Sequence, residues 1–250
     1  MTGVGERQPV ERAADQMAVC LARLVHDGEV VFQGVGSPLP MVAIALARAL
    51  HAPGAVYLSV AGGVDPHPPR LPRSSTDPAL AAGAAAVFAN EDFYDLCARG
   101  RVDLAFLGGV QIDARGRTNV SAIGPGDRPK VRLPGGGGAA MILPTARRVV
   151  LWRTRHDRRT FVERLDFVTG AGNVDRVVTP LAVLAVRRDS GTLGVESVHP
   201  GLAAEEVLER TGFDLGVAGP VPVTPSPTGE ELRALRQVDP ERVRDLEFRG

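Results

Sequence analysis

Glycine is concentrated where this chain could bring its backbone against a ligand. Between Phe106 and Met141 the sequence reads FLGGVQIDARGRTNVSAIGPGDRPKVRLPGGGGAAM. Gly108-Gly109 follows the apolar run Val102–Leu107, and Gly135, Gly136, Gly137 and Gly138 follow Pro134. Glycine tolerates positive φ and lets another backbone or a ligand come close. A glycine pair at the carboxyl end of a buried strand stands where open α/β sheets take their ligands. Backbone N–H groups presented there can hold an anionic oxygen. Close packing of strand against helix is the competing explanation. Gln111 is a polar residue just past the strand end, able either to reach a bound group or to stabilise the turn. Asp113 and Asn119 read as turn residues that bond their own backbone.

Other chemistry-bearing residues are scattered. Asp65 and His67 share a proline-rich segment and could act as acid and base. His199 precedes Pro200-Gly201, where capping or packing is the plainer role. Arg153, Arg155, Arg158 and Arg159 cluster after a strand; they suit phosphates or a solvated, subunit-contacting patch. Glu163 and Asp166 read as surface or interface charges. Gly34-Val35-Gly36-Ser37-Pro38-Leu39 lies between a strand and a helix, but Leu39 stands where a dinucleotide fingerprint needs its third glycine. A helix N-terminus facing a ligand or a partner loop is the expectation there. Cys20 and Cys97 have apolar neighbours and read as buried free thiols. They give neither metal-ligand spacing nor a disulfide framework.

The elements that must position these residues follow from the pattern. The chain has 250 residues, 44% hydrophobic and 23% charged, with zero formal net charge. Nothing in that balance points to nucleic acid or an anionic membrane. No apolar run is long enough to span a bilayer and no signal peptide opens the chain, so a cytoplasmic protein is expected. After a frayed start at residues 1–8, helical spacing runs from Pro9 to Asp27 and Gly28 stops it. Strands are expected at Glu29–Gln33, Ala55–Val60, Val102–Leu107, Asn119–Ile123 and Arg148–Thr154, with helices at 41–50 and 91–99. Residues 79–88 read as a short helix or buried loop, and 139–146 as a short helix interrupted by Pro144. Later, 161–169 and 182–187 look extended, Asp189-Ser190-Gly191 makes a hairpin turn into 193–198, and helices follow at 203–210 and 230–237. Residues 64–78 form an irregular proline-rich loop, either a lid or disordered, and 217–229 a proline-rich connector. Strands alternating with helices argue a mixed, mostly parallel sheet with helices on both faces, in a single domain over 1–250.

Several of these runs together resemble the β subunit of class I CoA-transferases, of the glutaconate CoA-transferase type. The residues are Gly100-Arg101-Val102-Asp103, then Phe106-Leu107-Gly108-Gly109-Val110-Gln111-Ile112-Asp113 with Gly116 and Asn119. Leu133-Pro134-Gly135 with Gly137-Gly138-Ala139 matches the family's glycine loop. Phe161 to Thr169 (FVERLDFVT) and Gly36 to Ala43 (GSPLPMVA) match two further segments. The matches fall in order over most of residues 29–200.

The resemblance implies a three-layer α/β/α, Rossmann-like fold. It implies an α-subunit partner in an α2β2 heterotetramer, a site at the subunit interface, and coenzyme A present only as part of an acyl-CoA substrate, with no bound cofactor and no metal. On that basis Val60, Ala61, Gly62 and Gly63 line the site unless they form only a tight turn. Gly108, Gly109 and Gly135 to Gly138 would offer N–H groups to the thioester or to CoA, and Gln111 would approach the acyl group. In the transferases a β-subunit glutamate at the end of the second strand attacks the thioester. Aligning the glycine pair puts Val60 there, and valine has no nucleophilic atom. The steroid ring-opening CoA-thioester hydrolases resemble this chain in lacking that glutamate and use one on the α subunit. Both branches share a segment like Ser197 to Gly201, so it does not separate them. The expectation is a hydrolytic β subunit, including C–C ring opening, with no catalytic residue assignable here. A true transferase using an unusual carboxylate and an inert scaffolding subunit are the alternatives.

Overall fold

The computed structural model describes residues 4–248. In chain order the first elements are α1 (Val4–Arg23), β1 (Val30–Gln33), α2 (Pro38–Leu50), β2 (Val56–Leu58), β3 (Gly63–Val64), β4 (Ala86–Val87), α3 (Asn90–Ala98) and β5 (Leu104–Gly108). Then come β6 (Gln111–Ile112), β7 (Thr118–Asn119), β8 (Ala122–Ile123), β9 (Val131–Arg132), α4 (Ala139–Thr145) and β10 (Arg148–Trp152). The last are β11 (Val174–Val178), β12 (Ala182–Val186), β13 (Leu193–Val198), α5 (Ala204–Glu209) and α6 (Gly229–Val238). Among the described residues β1, β2 and β5 run parallel with β3 and β4 antiparallel beyond β2, β10 and β11 run parallel with β12 and β13 antiparallel beyond β11, and β6 to β9 make two small ribbons. The mixed α/β sheet expected from the alternation of elements is therefore present.

The chain divides into two compact units. The first holds the residues up to Leu96, Arg101–Phe106 and those from Ser226 onward; the second holds Cys97–Gly100 and Leu107–Pro225.

In the first unit β1 runs parallel to both β2 and β5, with Val31 opposite Tyr57 and Leu104. Val31, Phe32, Leu58 and Leu104 to Phe106 are buried. Apolar runs of this kind suit parallel strands covered on both faces. Phe32 stacks on Phe93 of α3 with ring centroids 4.1 Å apart. On α1, Ala14, Met17, Ala18 and Leu21 recur at helical spacing and are fully buried. The helix begins at Val4, five residues earlier than its proline suggested, so Pro9 lies inside the helix rather than in its first turn; residues 1–3 of the expected frayed start lie outside the described residues.

The chain end returns to this unit. Thr228 and Glu231 form a reciprocal capping box that starts α6, and Arg23 of α1 binds Glu231 at 2.7 Å. Arg244, 1% exposed, reaches Asp239 and Asp15, each at 2.7 Å.

In the second unit β10 and β11 are parallel, and β11, β12 and β13 form an antiparallel meander. The β12–β13 turn holds Gly191 at φ +66°, as its Asp-Ser-Gly sequence suggested. Residues 161–169, expected to be extended, join no named strand. Phe161 bridges to Ile112, and Gly170, just past the segment, to Thr118, both in the β6–β7 ribbon. The strand expected at 119–123 is broken in two. Asn119 ends β7, Ala122 starts β8, and the side chain of Asn119 holds the bend between them.

Candidate functional site

In the first unit the expected site residues share one turn. Ser59 accepts the Gly62 N–H on its carbonyl and donates its own N–H to the Gly63 carbonyl, both at 2.9 Å. Its hydroxyl accepts the Gly63 N–H at 3.0 Å and donates to the Leu80 carbonyl at 2.9 Å. Val60 and Ala61 form the corner and are half-buried; Gly62 and Gly63 are buried. Gly62 has φ +94°, and a Cβ on it would lie 2.8 Å from the Phe88 carbonyl. A Cβ on Gly63 would collide with the Leu80 carbonyl. The glycine pair therefore serves the close approach of residues 80–88, and the accessible part of the turn is the corner at Val60 and Ala61. Ser59, which ties the turn, had no separate signal in the sequence beyond its place before the pair.

Asp65 and His67 are not assembled as an acid–base pair. Asp65 adopts φ +48°, accepts the Tyr57 N–H at 2.8 Å and pairs with Arg48 at 3.3 Å. Its carboxylate holds the β2–β3 hairpin, whereas His67 is exposed.

The N-terminus of α2 is also engaged. Pro38 and Pro40 have no N–H to offer, and the Leu39 N–H meets the Glu247 carboxylate at 3.4 Å. The first turn thus holds an internal carboxylate rather than facing a ligand. The preceding Gly34–Ser37 loop is clamped by the proline-rich segment expected to form a lid or to be disordered. Ser75, fully buried, accepts the Ser37 N–H at 3.1 Å and donates to the Gly34 carbonyl at 3.3 Å. No sequence pattern marked that serine.

In the second unit Gln111, Asn119 and Asp166 form one network. Gln111 Oε1 accepts from Asn119 Nδ2 at 2.7 Å and from the Asp166 N–H at 3.1 Å. Gln111 Nε2 donates to Asp166 Oδ2 at 3.0 Å, and the same carboxylate oxygen accepts the Gly124 N–H at 3.2 Å. Asn119 also donates to the Ala122 carbonyl and accepts the Ser121 and Ala122 N–H groups. Asp113 accepts the Arg115 and Arg117 N–H groups and pairs with Arg117. Asp113 and Asn119 thus hold their own turns, as expected. Asp166 is a structural tether, a role its place in an apolar-rich run did not reveal.

The glycine loop is joined to this network. The Gly135 N–H donates to the Val120 carbonyl at 2.8 Å, while Thr169 Oγ1 accepts the Val120 N–H and bonds the Ser121 hydroxyl. A Cβ on Gly136 would lie 2.7 Å from the Thr169 methyl. Gly135 and Gly137 have φ +97° and +47° with open space where a Cβ would point. Gly108 is likewise open, and Gly109 packs against Ile112 and Thr118. Gly135, Gly137 and Gly108 thus leave room for a ligand, whereas Gly109 and Gly136 admit neighbouring side chains.

The buried histidines of this unit are structural. His199 Nε2 donates to the Thr179 carbonyl at 2.8 Å, and its Nδ1 meets Thr224 Oγ1 at 3.1 Å. Burial holds its pKa below the usual histidine value. His156 lies between Thr179 and Thr211, at 2.9 and 3.0 Å, and stacks on Phe161. Burial first, then Arg210, pushes its pKa down to about 4, against the attraction of Asp157. Both cysteines are buried, and burial pushes the Cys97 thiol up to about 11, which leaves little thiolate at neutral pH.

Comparison with known proteins gives a consistent picture. The family model described as "Coenzyme A transferase" matches residues 14–210. The chain is 34% identical to one subunit of the 3-oxoadipate CoA-transferase of Pseudomonas knackmussii, over 90% of this chain and 92% of that one. It is 31% identical to the cholesterol ring-cleaving hydrolase IpdB subunit of Rhodococcus jostii, over 71% of this chain and 83% of that one. Its structure is similar to a chain of the decarboxylase AibA/AibB, with 36% identity and a TM-score of 0.89 over 95% and 99% of the two chains.

Proposed function

The chain belongs to the coenzyme A transferase family, and from that premise we propose that it is the β subunit of a heteromeric enzyme. In this reading the enzyme acts on an acyl-CoA thioester by hydrolysis, including hydrolytic C–C ring opening, rather than by CoA exchange. The observation that carries the reading is the corner of the β2–β3 turn. Val60 stands where the family resemblance places the attacking glutamate. The nearest carboxylate along the chain, Asp65, is committed to Arg48 and the Tyr57 N–H. A covalent glutamyl-CoA intermediate needs a carboxylate free to attack. The catalytic carboxylate then belongs to the α subunit, in an α2β2 assembly. This chain contributes a half-buried apolar corner at Val60 and Ala61 and open backbone at Gly108, Gly135 and Gly137.

The chemistry is reasonable without an acyl-enzyme. A thioester carbonyl stabilises negative charge on its α carbon, so C–C cleavage needs a base and donors for the enolate oxygen. A ring-cleaving hydrolase and a decarboxylase are both named for breaking C–C bonds, and proteins of both names are among the relatives; decarboxylation shares the need for an electron sink but needs no base. Decarboxylation is accordingly the sister reaction to test. CoA transfer is the second reading, favoured by the 3-oxoadipate CoA-transferase relative. Coenzyme A enters only as part of the substrate, and no bound cofactor is required. Among the described residues no helix is long and apolar enough to cross a membrane, and we place the enzyme in the cytoplasm with the acyl-CoA pool.

Co-expression with the α subunit, followed by incubation with acyl-CoAs with and without an acceptor acid, tests the reading. Ring-opened product or free CoA released without acceptor is expected; CO2 release would replace hydrolysis with decarboxylation. Strict dependence on an acceptor acid, or a borohydride-trapped thioester on this chain, would overturn it. A complex inert toward every acyl-CoA would favour a scaffolding role. Val60→Glu is the complementary variant, expected to introduce CoA exchange if this corner is the only departure from the transferases.

A further inference from the structure

Three of the four arginines after β10 are already engaged, so they are poor candidates for the phosphates of an acyl-CoA. Arg158 donates to the Glu209 carbonyl at 2.8 Å, and Arg153 and Arg155 have other contacts. A different set of cations stands on the β8–β9 ribbon. Arg128, Lys130 and Arg132 are all exposed, and among the described residues none of them forms an ion pair. Asp127 is the single acidic residue between Gly124 and Arg132.

The ribbon shapes how these cations are displayed. Ala122 pairs with Arg132 and Ile123 with Val131, and the Lys130 N–H donates to the Ile123 carbonyl at 2.8 Å. Directly opposed residues of an antiparallel pair share a face. Ala122 therefore lies beneath Arg132, and Val131 belongs to the other face. Gly124, at φ +95°, lies against Lys130: a Cβ there would meet the Lys130 backbone nitrogen at 3.0 Å and its Cγ at 3.1 Å. Small residues thus leave room along one face for two long cationic side chains. The Asp166 carboxylate is held by Gln111 and the Gly124 N–H, and among the described residues it pairs with none of these cations.

The same strand leads into the glycine loop. The Leu133 N–H bonds the Ser121 carbonyl and the Gly135 N–H bonds that of Val120, so the extended course continues past Arg132. Lys130 and Gly135 are five residues apart, about 16 Å at the strand rise of ~3.3 Å per residue. That span is comparable with the extended pantetheine arm that separates a CoA thioester from its phosphates. Paired or clustered cations bind phosphate oxygens through charge-assisted hydrogen bonds.

We propose that Lys130 and Arg132, with Arg128 at the ribbon tip, bind the phosphates of the CoA nucleotide while the thioester lies at the Gly135–Gly138 loop. This rests on the acyl-CoA reading of the preceding subsection and assigns the nucleotide end to a surface ribbon of this chain.

Calorimetric titration of the complex with its α subunit separates the two. The probes are CoA, adenosine 3′,5′-bisphosphate and pantetheine. Lys130→Ala and Arg132→Ala should each weaken CoA and the bisphosphate about tenfold, the loss of one hydrogen bond to a charged group, with pantetheine unaffected. Arg236→Ala on α6 removes a cation elsewhere and should change none of the three. CoA bound equally by wild type and variants would overturn the proposal, as would equal weakening of pantetheine. Variants that no longer assemble with the α subunit would make the ribbon a subunit contact and overturn it too. A wild-type complex that binds no CoA would instead sink the acyl-CoA reading, and this proposal with it.

Discussion

At Gly63 one added methyl group would strike the carbonyl of Leu80 and sit 3.0 Å from the Cα of Ala81. Both obstacles are backbone, so neither can swing aside as a side chain would. Gly63→Ala is expected to destabilise the first unit by about 1–3 kcal/mol, the usual cost of overpacking, read as a lowered urea midpoint. Gly135→Ala makes the contrast. There is open space at its Cβ, so only the positive φ opposes the change, at roughly 1–2 kcal/mol. Gly135→Ala should also disturb ligand binding more than stability, whereas Gly63→Ala should do the reverse. An equal effect of both on stability and binding would mean that the two glycine groups are not functionally distinct.

Between residue and fold stand the short ribbons, and they depend on single polar side chains. Asn119 makes four hydrogen bonds, to Gln111 Oε1, to the Ala122 carbonyl and from the Ser121 and Ala122 N–H groups. It is fully buried, so Asn119→Ala leaves several of these groups without partners. A loss of about 2–4 kcal/mol is expected at one to three per buried orphan less relaxation. Hydrogen exchange should show β6 to β9 opening first. Asn119→Asp keeps both acceptor bonds but sets a carboxylate oxygen against Gln111 Oε1 and the Ala122 carbonyl in a buried place, so it should cost at least as much. Retained protection of β8 in Asn119→Ala would refute this account. The same elements show what was legible in the sequence. β1, β2, β5, β10, β12 and β13 are apolar runs bounded by glycine or turn residues, and local pattern found them. β3, β4 and the four ribbon strands are two residues long, too short for any periodicity. They exist because of long-range bonds such as Ser59 to Leu80 and Gln111 to Asp166. The glycine stretch was legible as a site, but which glycines face open space and which admit a neighbour depends on Leu80, Phe88 and Thr169. The tie from Ser75 to the Gly34–Ser37 loop spans about forty residues of irregular chain, and nothing local announces it.

For the molecule as a whole, acid is the informative perturbation, because its second unit is pinned by two neutral imidazoles on one threonine. Thr179 Oγ1 bonds His156 Nδ1, and the Thr179 carbonyl accepts from His199 Nε2. Thr211 Oγ1 donates to the Val207 carbonyl at 2.7 Å, so it accepts from His156 Nε2–H; the neutral ring then takes the Thr179 hydroxyl proton on Nδ1 at 2.9 Å, in preference to the longer 3.2 Å approach of that hydroxyl to the Ala182 carbonyl. A second proton on His156 would replace that acceptor with a donor in a buried place. The folded pKa of about 4 lies below the ordinary 6.5 of an unfolded histidine. Above pH 6.5 both states are neutral and the full stability is present. As pH falls through 6.5 the unfolded chain takes up the proton while the fold does not, so stability declines until the folded pKa is reached. The slope is about 1.4 kcal/mol per pH unit for one such group. Between pH 6.5 and 5 His156 alone should cost the fold about 2 kcal/mol, and His199 adds to the loss in the same direction. Urea unfolding at pH 7 and pH 5 measures it. His156→Gln keeps a donor and an acceptor but cannot titrate, so it should be less stable at pH 7 and lose less between the two values. If His156→Gln retains the whole pH dependence, His156 is not its source and the decline belongs to His199 or to carboxylates elsewhere.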